Sequence, residues 1–554
     1  TEVEDRLDGH LRWSADLFDP PTTHRMIGHL QNLLAAAAAD PGLPISRLPL
    51  LTPAERHQAV VEWNDQQVVG AAADGAAGET LAGAAADVME LFAAQAVRDP
   101  AAVALTCGGE SLSFADLDRR VDRLARRLHA AGVGAGVTVG LYLERSADLV
   151  VGLLAIWKAG GAYLPLDPAL PRPRLTFLLE DSAAPLVLTS EGLAATLPPC
   201  SARVVRLDAP PEAGEDGEIA EAGERALPPG GGALPGDLAY RIYTSGTTGQ
   251  PKAVEVERGS LAAVLAATRR LFRFAPGDRM PCVAPFSFDI FLFELLSPLL
   301  AGGTSVLSPR GPTLDVEWLA AELGEATRLH AVPALMRQVV DAVRRAPGSA
   351  AGQRLRTILV GGDTVPAELL ADLRETFPQA RIWVLYGPTE ATILCTAHPV
   401  PPAGMGAALP LLGRPLPGAV VHVCDAAGQP VPIGVPGEIW IGGPGVSRGY
   451  WRREALNAEK FVDRGGSRCF RSGDLARRRP DGALEFLGRI DQQVKVRGFR
   501  IELGEIESVL ARHPAVDEAV VIARAEPAAA PGAGAATADK RLVAYVVPGS
   551  GPAL

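Results

Sequence analysis

The run Tyr243-Thr244-Ser245-Gly246-Thr247-Thr248-Gly249-Gln250-Pro251-Lys252 gathers four small hydroxyls and two glycines in front of one cation. A Gly/Ser/Thr loop leaving a strand can offer backbone N–H groups and hydroxyls to phosphate oxygens. Glycine lets the backbone approach closely because it has no Cβ. Most such clusters are surface turns. Here Pro251 fixes the backbone just before Lys252, which a plain turn does not need. The usual P-loop places Gly-Lys-Ser/Thr at a helix start; this run has Pro251 before the Lys and Ala253 after it.

Three more stretches have residue types suited to chemistry. Tyr386-Gly387-Pro388-Thr389-Glu390 joins an aromatic, a tight turn, a hydroxyl and a carboxylate. Gly473-Asp474-Leu475 sets a carboxylate in a turn, and Gly488-Arg489-Ile490-Asp491 is followed by Lys495, Arg497 and Arg500. Taken singly, Asp474 reads as a turn Asp, and Glu390 as a first-turn Glu favoured by the helix dipole.

The elements that must hold these residues follow from periodicity. Leu238 to Tyr243 predicts a strand into the first loop, and Leu261 to Leu271 a helix after it. Val103–Leu105 predicts a short strand. Ser113 then caps a helix from Phe114 to Ala131, with Leu117, Val121, Leu124 and Leu128 on its apolar face. Val137–Leu143 predicts a buried strand and Asp148–Lys158 a helix closed by Gly160 and Gly161. This alternation argues for an α/β fold with a largely parallel sheet. Strands dominate from Val420 to Leu487, and a last βα-like unit starts near Gln493 with a helix over Leu503–Ala511. Upstream, His24–Ala39 predicts a helix, and Thr52 can cap a short helix with Pro53 at its first position and Glu55 at its third. Residues 68–86, 209–236 and 526–538 are rich in Ala, Gly or Pro and read as linkers or loops.

Composition limits the function classes. The 554 residues suffice for several domains and are 47% hydrophobic. The net charge of −11, with no dominant basic stripe, argues against a nucleic-acid partner. The six Cys are scattered without a CxxC pair, which fits a reducing cytoplasm rather than a zinc or disulfide framework. No apolar run is long enough for a bilayer span, because Lys158 interrupts the best candidate. The N-terminus lacks a signal peptide's layout.

In this order and spacing the stretches are specific. From about residue 88 the chain resembles the adenylation domain of a nonribosomal peptide synthetase, within the acyl-adenylate-forming superfamily. The resemblance rests on Leu112-Ser113-Phe114-Ala115-Asp116-Leu117, Lys158 to Asp167, the 243–252 loop, Phe288-Asp289, Tyr386 to Glu390, Gly437-Glu438-Ile439, Arg448-Gly449-Tyr450, Arg471 to Leu475, and Gly488 to Glu507. It implies a large subdomain of mixed and parallel sheets with a β-rich part over 67–490, and a small, incomplete α+β subdomain over 491–554. Residues 1–66 resemble the tail of a condensation domain and its linker.

The resemblance also implies roles. The chain would activate an amino acid with ATP and Mg²⁺ as aminoacyl-AMP, then load the phosphopantetheine thiol of a peptidyl carrier domain. An upstream condensation domain and an MbtH-like protein are the other implied partners. Thr244, Ser245, Gly246, Thr247, Thr248, Gly249 and Lys252 would surround the phosphates. Tyr386 and Gly387 would lie at the adenine, Thr389 at the α-phosphate, and Asp474 with Arg489 at the ribose. Glu390 would help hold Mg²⁺, a hard cation that takes oxygen ligands. Thr244, Lys252 and Glu390 would act in catalysis, with a further catalytic Lys expected beyond Leu554. Asp491, flanked by Gly488 and Gly498, would be the pivot of the small subdomain.

The implied substrate pocket is Asp289, Ile290, Phe293, His330, Leu359, Gly361, Leu385, Ile393 and Leu394. Asp289 would pair with an α-ammonium, and Gly361 would leave room for a ring. As a set the lining is similar to that of domains loading 4-hydroxyphenylglycine, where a His faces the phenol. His330 can equally satisfy a core neighbour, and Ile393-Leu394 departs from the usual Leu-Cys of that pattern. Ala253 stands where the family usually has Gly. A carboxylate–CoA ligase of the same superfamily and a non-catalytic module fragment are the competing readings; Asp289 and the nucleotide motifs speak against them.

Overall fold

The computed structural model describes residues 2–3, 6–7, 9–65, 87–208, 227, 229–246, 250–308, 315–346, 350–405, 409–491, 493–496, 498–525 and 540–549. Thr247, Thr248 and Gly249 lie outside the described residues, as do Arg497, all of 68–86 and 526–538, and most of 209–236.

Three sheets and the helices on them build the α/β part. A seven-stranded sheet carries Thr138–Tyr142, Ala162–Pro165, Leu186–Thr189, Arg203–Arg206 and Leu238–Thr244 in parallel, with Lys252–Glu257 and Gly449–Tyr450 added antiparallel at one edge. A five-stranded sheet pairs Arg328–Ala331, Thr357–Gly361 and Arg381–Tyr386 in parallel before two antiparallel strands. Arg279–Cys282, Thr304–Leu307 and Val103–Cys107 form the parallel part of a four-stranded sheet. The strand-rich stretch from 420 is an antiparallel sheet of Val420–Cys424, Pro436–Gly442, Phe461–Arg464, Ser467–Arg478 and Leu484–Arg489.

Local signals set the helix ends. Ser113 and Asp116 make a reciprocal capping box that starts Phe114–Ala130, whose Leu117, Val121, Leu124 and Leu128 are buried. Thr52 and Glu55 do the same for Pro53–His57. The first long helix begins at Pro20, four residues before the expected start, because Asp19 accepts from Thr22 N and prolines occupy the first turn.

The 243–252 run differs from its expected setting. It does not lead from a strand into a helix. Lys252 pairs with Thr244, Ala253 with Tyr243 and Val254 with Ile242, so the run is the connection of an antiparallel hairpin. The second strand is buried through Val256, and the helix starts only at Arg258. Beyond 491 a hairpin of Val494–Val496 and Phe499–Ile501 precedes the helix Leu503–Leu510, followed by a long antiparallel pair, Val516–Ala525 with Lys540–Pro548. The expected βα-like unit is therefore hairpin, helix, hairpin.

Candidate active site

Glu390 is the centre of a buried charge cluster. It sits in a single 3₁₀ turn, Thr389–Ala391, straight after the strand Arg381–Tyr386, and is fully buried. Its Oε1 accepts from the Tyr450 hydroxyl at 2.7 Å, and Arg500 Nη1 donates to Oε2 at 2.8 Å and to Oε1 at 3.1 Å. Lys252 Nζ lies 4.0 Å from Oε1 and 4.7 Å from the Tyr450 ring centre. Burial alone would raise the Glu390 carboxyl. Arg500 and Lys252 outweigh it and hold it at about 2. Burial pushes the Lys252 ammonium down to about 8, with the Arg500 charge adding to the shift.

The loop closes against this cluster. A Cβ on Gly246 would fall 1.9 Å from the carbonyl oxygen of Gln250, so the chain crosses itself where only glycine fits. Ser245 Oγ donates to the carbonyl of Arg500 at 3.0 Å, tying the loop to the 494–501 hairpin. Thr244 Oγ1 bonds across the hairpin to Lys252 O.

Beside it, Tyr386 donates its hydroxyl to Asp474 Oδ2 at 2.5 Å. Arg489 Nη1 donates to Asp474 Oδ1 at 2.8 Å and its other nitrogens to Asp491 at 2.6–2.7 Å. Asp474 and Arg489 face each other because their strands pair in that register. Burial and the Asp474 charge raise the Tyr386 phenol well above its ordinary range. Lys495 is half-buried, and desolvation lowers its ammonium, with Asp474 opposing the shift and Arg500 adding to it.

The third group surrounds Asp289 at the start of the helix Ile290–Leu299. Its carboxyl is hydrogen-bonded by the Thr389 side chain and by the backbone of Ile290 and Ile393. Its Oδ2 is buried without a hydrogen bond among the described residues. Burial raises this carboxyl to about 6. Thr392 and Ile393 both take positive φ, 54° and 68°, rare for β-branched residues. The bend is held by Thr392 Oγ1 donating to Gly445 O at 2.6 Å. It folds the chain onto Gly387, where a Cβ would meet Ile393 O at 2.4 Å.

The expected pocket residues come from neighbouring elements. Ile290 and Phe293 lie on the helix after Asp289; His330 pairs with Leu359, and Gly361 with Leu385, across adjacent strands. Two of these residues also have a structural partner beside them. A Cβ on Gly361 would lie 2.6 Å from Leu385 O, so the neighbouring strand accounts for the glycine. His330 Nδ1 is 2.7 Å from Glu294 Oε1, so the ring does satisfy a core partner on that side. Leu394 also borders an apolar cavity with Val264, Ala267, Cys395 and Leu416.

Sequence reasoning gives no role to Tyr450, Arg500 or Glu294. Tyr450 and Arg500 lie in stretches notable for their composition; nothing local marks Glu294.

Glu390 is the carboxylate at the centre of this cluster, with buried Glu502 near enough to act on Lys252, Arg500 and Tyr450, and among the described residues no group of three or more His, Cys, Asp or Glu could hold a metal. One carboxylate suits Mg²⁺ shared with phosphate oxygens. In this arrangement, however, Arg500 already takes both Glu390 oxygens, so an ion fits there only when Arg500 withdraws.

The AMP-binding enzyme family profile matches residues 92–451. The chain is 41% identical over 551 residues to phosphinothricin tripeptide synthetase PhsB of Streptomyces viridochromogenes, covering 98% of this chain and 44% of that protein. It is 37% identical over 561 residues to a dimodular nonribosomal peptide synthase of Bacillus subtilis, covering 98% of this chain but 22% of that protein. The chain thus spans less than half the length of these relatives. Among solved structures, a four-domain nonribosomal peptide synthetase bound to AMP and glycine superposes with a TM-score of 0.71 at 30% identity, covering 96% of this chain and 37% of that one. With these matches, the chain belongs to the AMP-binding enzymes, as an adenylation domain of the nonribosomal peptide synthetases, the amino-acid-activating ligases.

Proposed function

We propose that this domain activates 4-hydroxyphenylglycine with ATP and passes it to the phosphopantetheine thiol of a peptidyl carrier domain. The substrate carboxylate oxygen attacks the α-phosphorus of ATP; the bond to the bridging oxygen breaks and pyrophosphate leaves. The thiol then displaces AMP from the acyl carbon. The work of the protein is positioning and charge stabilisation. In this reading the 244–252 hairpin connection and Lys252 hold the phosphates, Thr389 the α-phosphate, Tyr386 and Gly387 the adenine, and Asp474 with Arg489 the ribose. With Arg500 withdrawn, Glu390 would hold Mg²⁺, which would supply charge neutralisation for the phosphates. Residues 1–66 would be a condensation-domain tail and linker, 67–490 the large subdomain and 491–554 the small one. An MbtH-like protein is a candidate partner.

The observation that carries the amino-acid reading is the buried, unpartnered Oδ2 of Asp289 beside Ile290, Phe293 and Ile393. A buried carboxylate oxygen calls for a cation, and an α-ammonium supplies one. Support for an aromatic hydroxyl comes from the apolar lining with His330 as its one other polar group. A phenol bonding the His330 ring gains about 0.5–1.5 kcal/mol over a bare ring.

A pyrophosphate-exchange panel over the amino acids tests both levels. We expect 4-hydroxyphenylglycine ahead of phenylglycine by about tenfold or less, and both ahead of Leu. Strong exchange with Ser or Leu and none with either arylglycine overturns the substrate. Exchange with no α-amino acid overturns the activity.

A further inference from the structure

Glu294 is fully buried on the helix Ile290–Leu299, next to Phe293, and touches no nucleotide-site residue described above. Its two oxygens do different things. Oε2 accepts two backbone N–H donors, from Val283 at 2.6 Å and from Ala284 at 2.8 Å. An oxygen receiving two N–H bonds serves as an acceptor in both, so Oε2 is not the proton-bearing atom. Oε1 faces His330 Nδ1 at 2.7 Å. The ring packs edge-on against Phe293, 6.2 Å between centres. Its Nε2, on the far side of the ring from Glu294, has no hydrogen bond among the described residues.

With Glu294 as a carboxylate, its Oε1 can only accept, which would place the proton of this contact on His330 Nδ1. In a neutral imidazole that leaves Nε2 as an acceptor. We propose that Glu294 is a specificity-setting positioning residue: it locks His330 in the Nδ1–H tautomer. The pocket then offers a hydrogen-bond acceptor, and selects an amino acid whose side chain ends in an O–H or N–H donor. The ligand class rests on the reading of His330 as pocket lining; the tautomer does not.

The backbone N–H pair makes the lock testable by one atom. In Glu294→Gln the amide oxygen must stay on Val283 N and Ala284 N. The amide NH₂ then faces His330 and donates to Nδ1. The proton moves to Nε2, and the pocket presents a donor.

Two measurements test this. The first uses ¹⁵N-histidine-labelled protein, with the His330 signals among nine histidines assigned by their loss in His330→Gln. We expect the Nδ1–H pattern in the native protein and Nε2–H in Glu294→Gln. Native His330 protonated at Nε2, or at both nitrogens, overturns the proposal without reference to any substrate. The second compares pyrophosphate exchange with 4-aminophenylglycine, mainly a donor, and 4-methoxyphenylglycine, an acceptor only. The native protein should favour the amine by about two- to tenfold, the value of one neutral hydrogen bond, and Glu294→Gln should reverse the order. The expected tautomers with an unchanged amine-to-ether ratio overturn the specificity role. The expected tautomers with no arylglycine exchanged at all leave Glu294 setting the tautomer and overturn the arylglycine reading alone.

Discussion

Arg500 Nη1 bridges the two carboxylate oxygens of Glu390, at 2.8 and 3.1 Å, between residues 110 positions apart in the sequence. The pair brings the 494–501 hairpin onto the turn that follows the strand Arg381–Tyr386, and Ser245 fastens the same hairpin from the other side. Phe499 adds an edge-on contact to Phe288, 5.4 Å between ring centres. Under the proposed role of Glu390, Arg500 would compete with a metal ion for this carboxylate.

That competition makes the Mg²⁺ requirement sensitive to Arg500. Removing the guanidinium leaves Glu390 buried with Lys252 as its remaining cation, and an under-compensated buried carboxylate binds a cation more avidly. We expect Arg500→Ala to lower the half-saturating Mg²⁺ concentration by roughly tenfold, with Arg500→Lys in between. Calorimetric Mg²⁺ titration in the presence of a non-hydrolysable ATP analogue reads this without turnover. An unchanged or higher requirement would show that Arg500 and the ion do not compete.

Asp289 predicts a pH effect confined to the amino acid. Its carboxyl sits at about 6 because it is buried. Pairing with an ammonium needs the ionised form, so KM for the amino acid should rise as pH falls through 6, by about tenfold per unit below it. KM for ATP should not follow. Asp289→Asn should raise the amino-acid KM at pH 8 and flatten its pH dependence. Parallel movement of both KM values would point to a global acid effect instead.

The stability signs of the two carboxyls are opposite. Asp289 is raised from 3.8, so the folded state binds more protons than the unfolded state between 3.8 and about 6. Its stabilisation is full below that window and lost as pH rises through it. Glu390 is held at about 2 against an ordinary 4.5, so its contribution is present above 4.5 and lost as pH falls towards 2. Glu390→Gln should therefore weaken the fall in melting temperature between pH 4.5 and 2, and Asp289→Asn should not. Identical acid limbs in both variants and the native protein would remove Glu390 from this account.

Gly246 separates loop shape from fold stability. A Cβ there meets Gln250 O at 1.9 Å, so Gly246→Ala must reopen the hairpin connection. The core strands on either side are paired independently of it. We expect ATP affinity to drop by more than roughly tenfold, the scale of losing several phosphate contacts, while the melting temperature changes little. Retained ATP binding by calorimetry would mean the loop can relax around the methyl group.

What is legible in the sequence is local. Ser113 with Asp116 and Thr52 with Glu55 carry both halves of a capping box within four residues, and both helices start where these say. The hairpin at 244–252 escapes a sequence reading because the pairing of Lys252 with Thr244 is a cross-strand fact, and a glycine-rich connection looks alike before a helix or a strand. Gly361 escapes it for the same reason: its constraint is Leu385 on the next strand. Resemblance points to Asp289, Glu390 and Asp474. It also points to Arg489 beside Asp474 and to Tyr386, but not to Tyr450 and Arg500, which the fold brings onto the Glu390 oxygens from other elements.

Asp491 lies between the strand Leu484–Arg489 and the hairpin that follows it. Its carboxylate holds Arg489 by two bonds and accepts from Gln493 N at 3.1 Å, so it clasps the segment between the strand Leu484–Arg489 and the hairpin beginning at Val494. A pivot at such an element end works through φ and ψ, and proline fixes φ near −65°. Asp491→Pro should therefore slow thioester formation on a carrier domain more than adenylate formation, because only the thiol step would need the small subdomain repositioned after the first. Asp491→Asn keeps the backbone free and loses only the charge facing Arg489. It should affect the two half-reactions alike. Single-turnover measurement of each half-reaction decides the matter: equal slowing by the Pro variant would place the pivot elsewhere, and a selective defect in the Asn variant would assign the effect to the Arg489 contact rather than to backbone freedom.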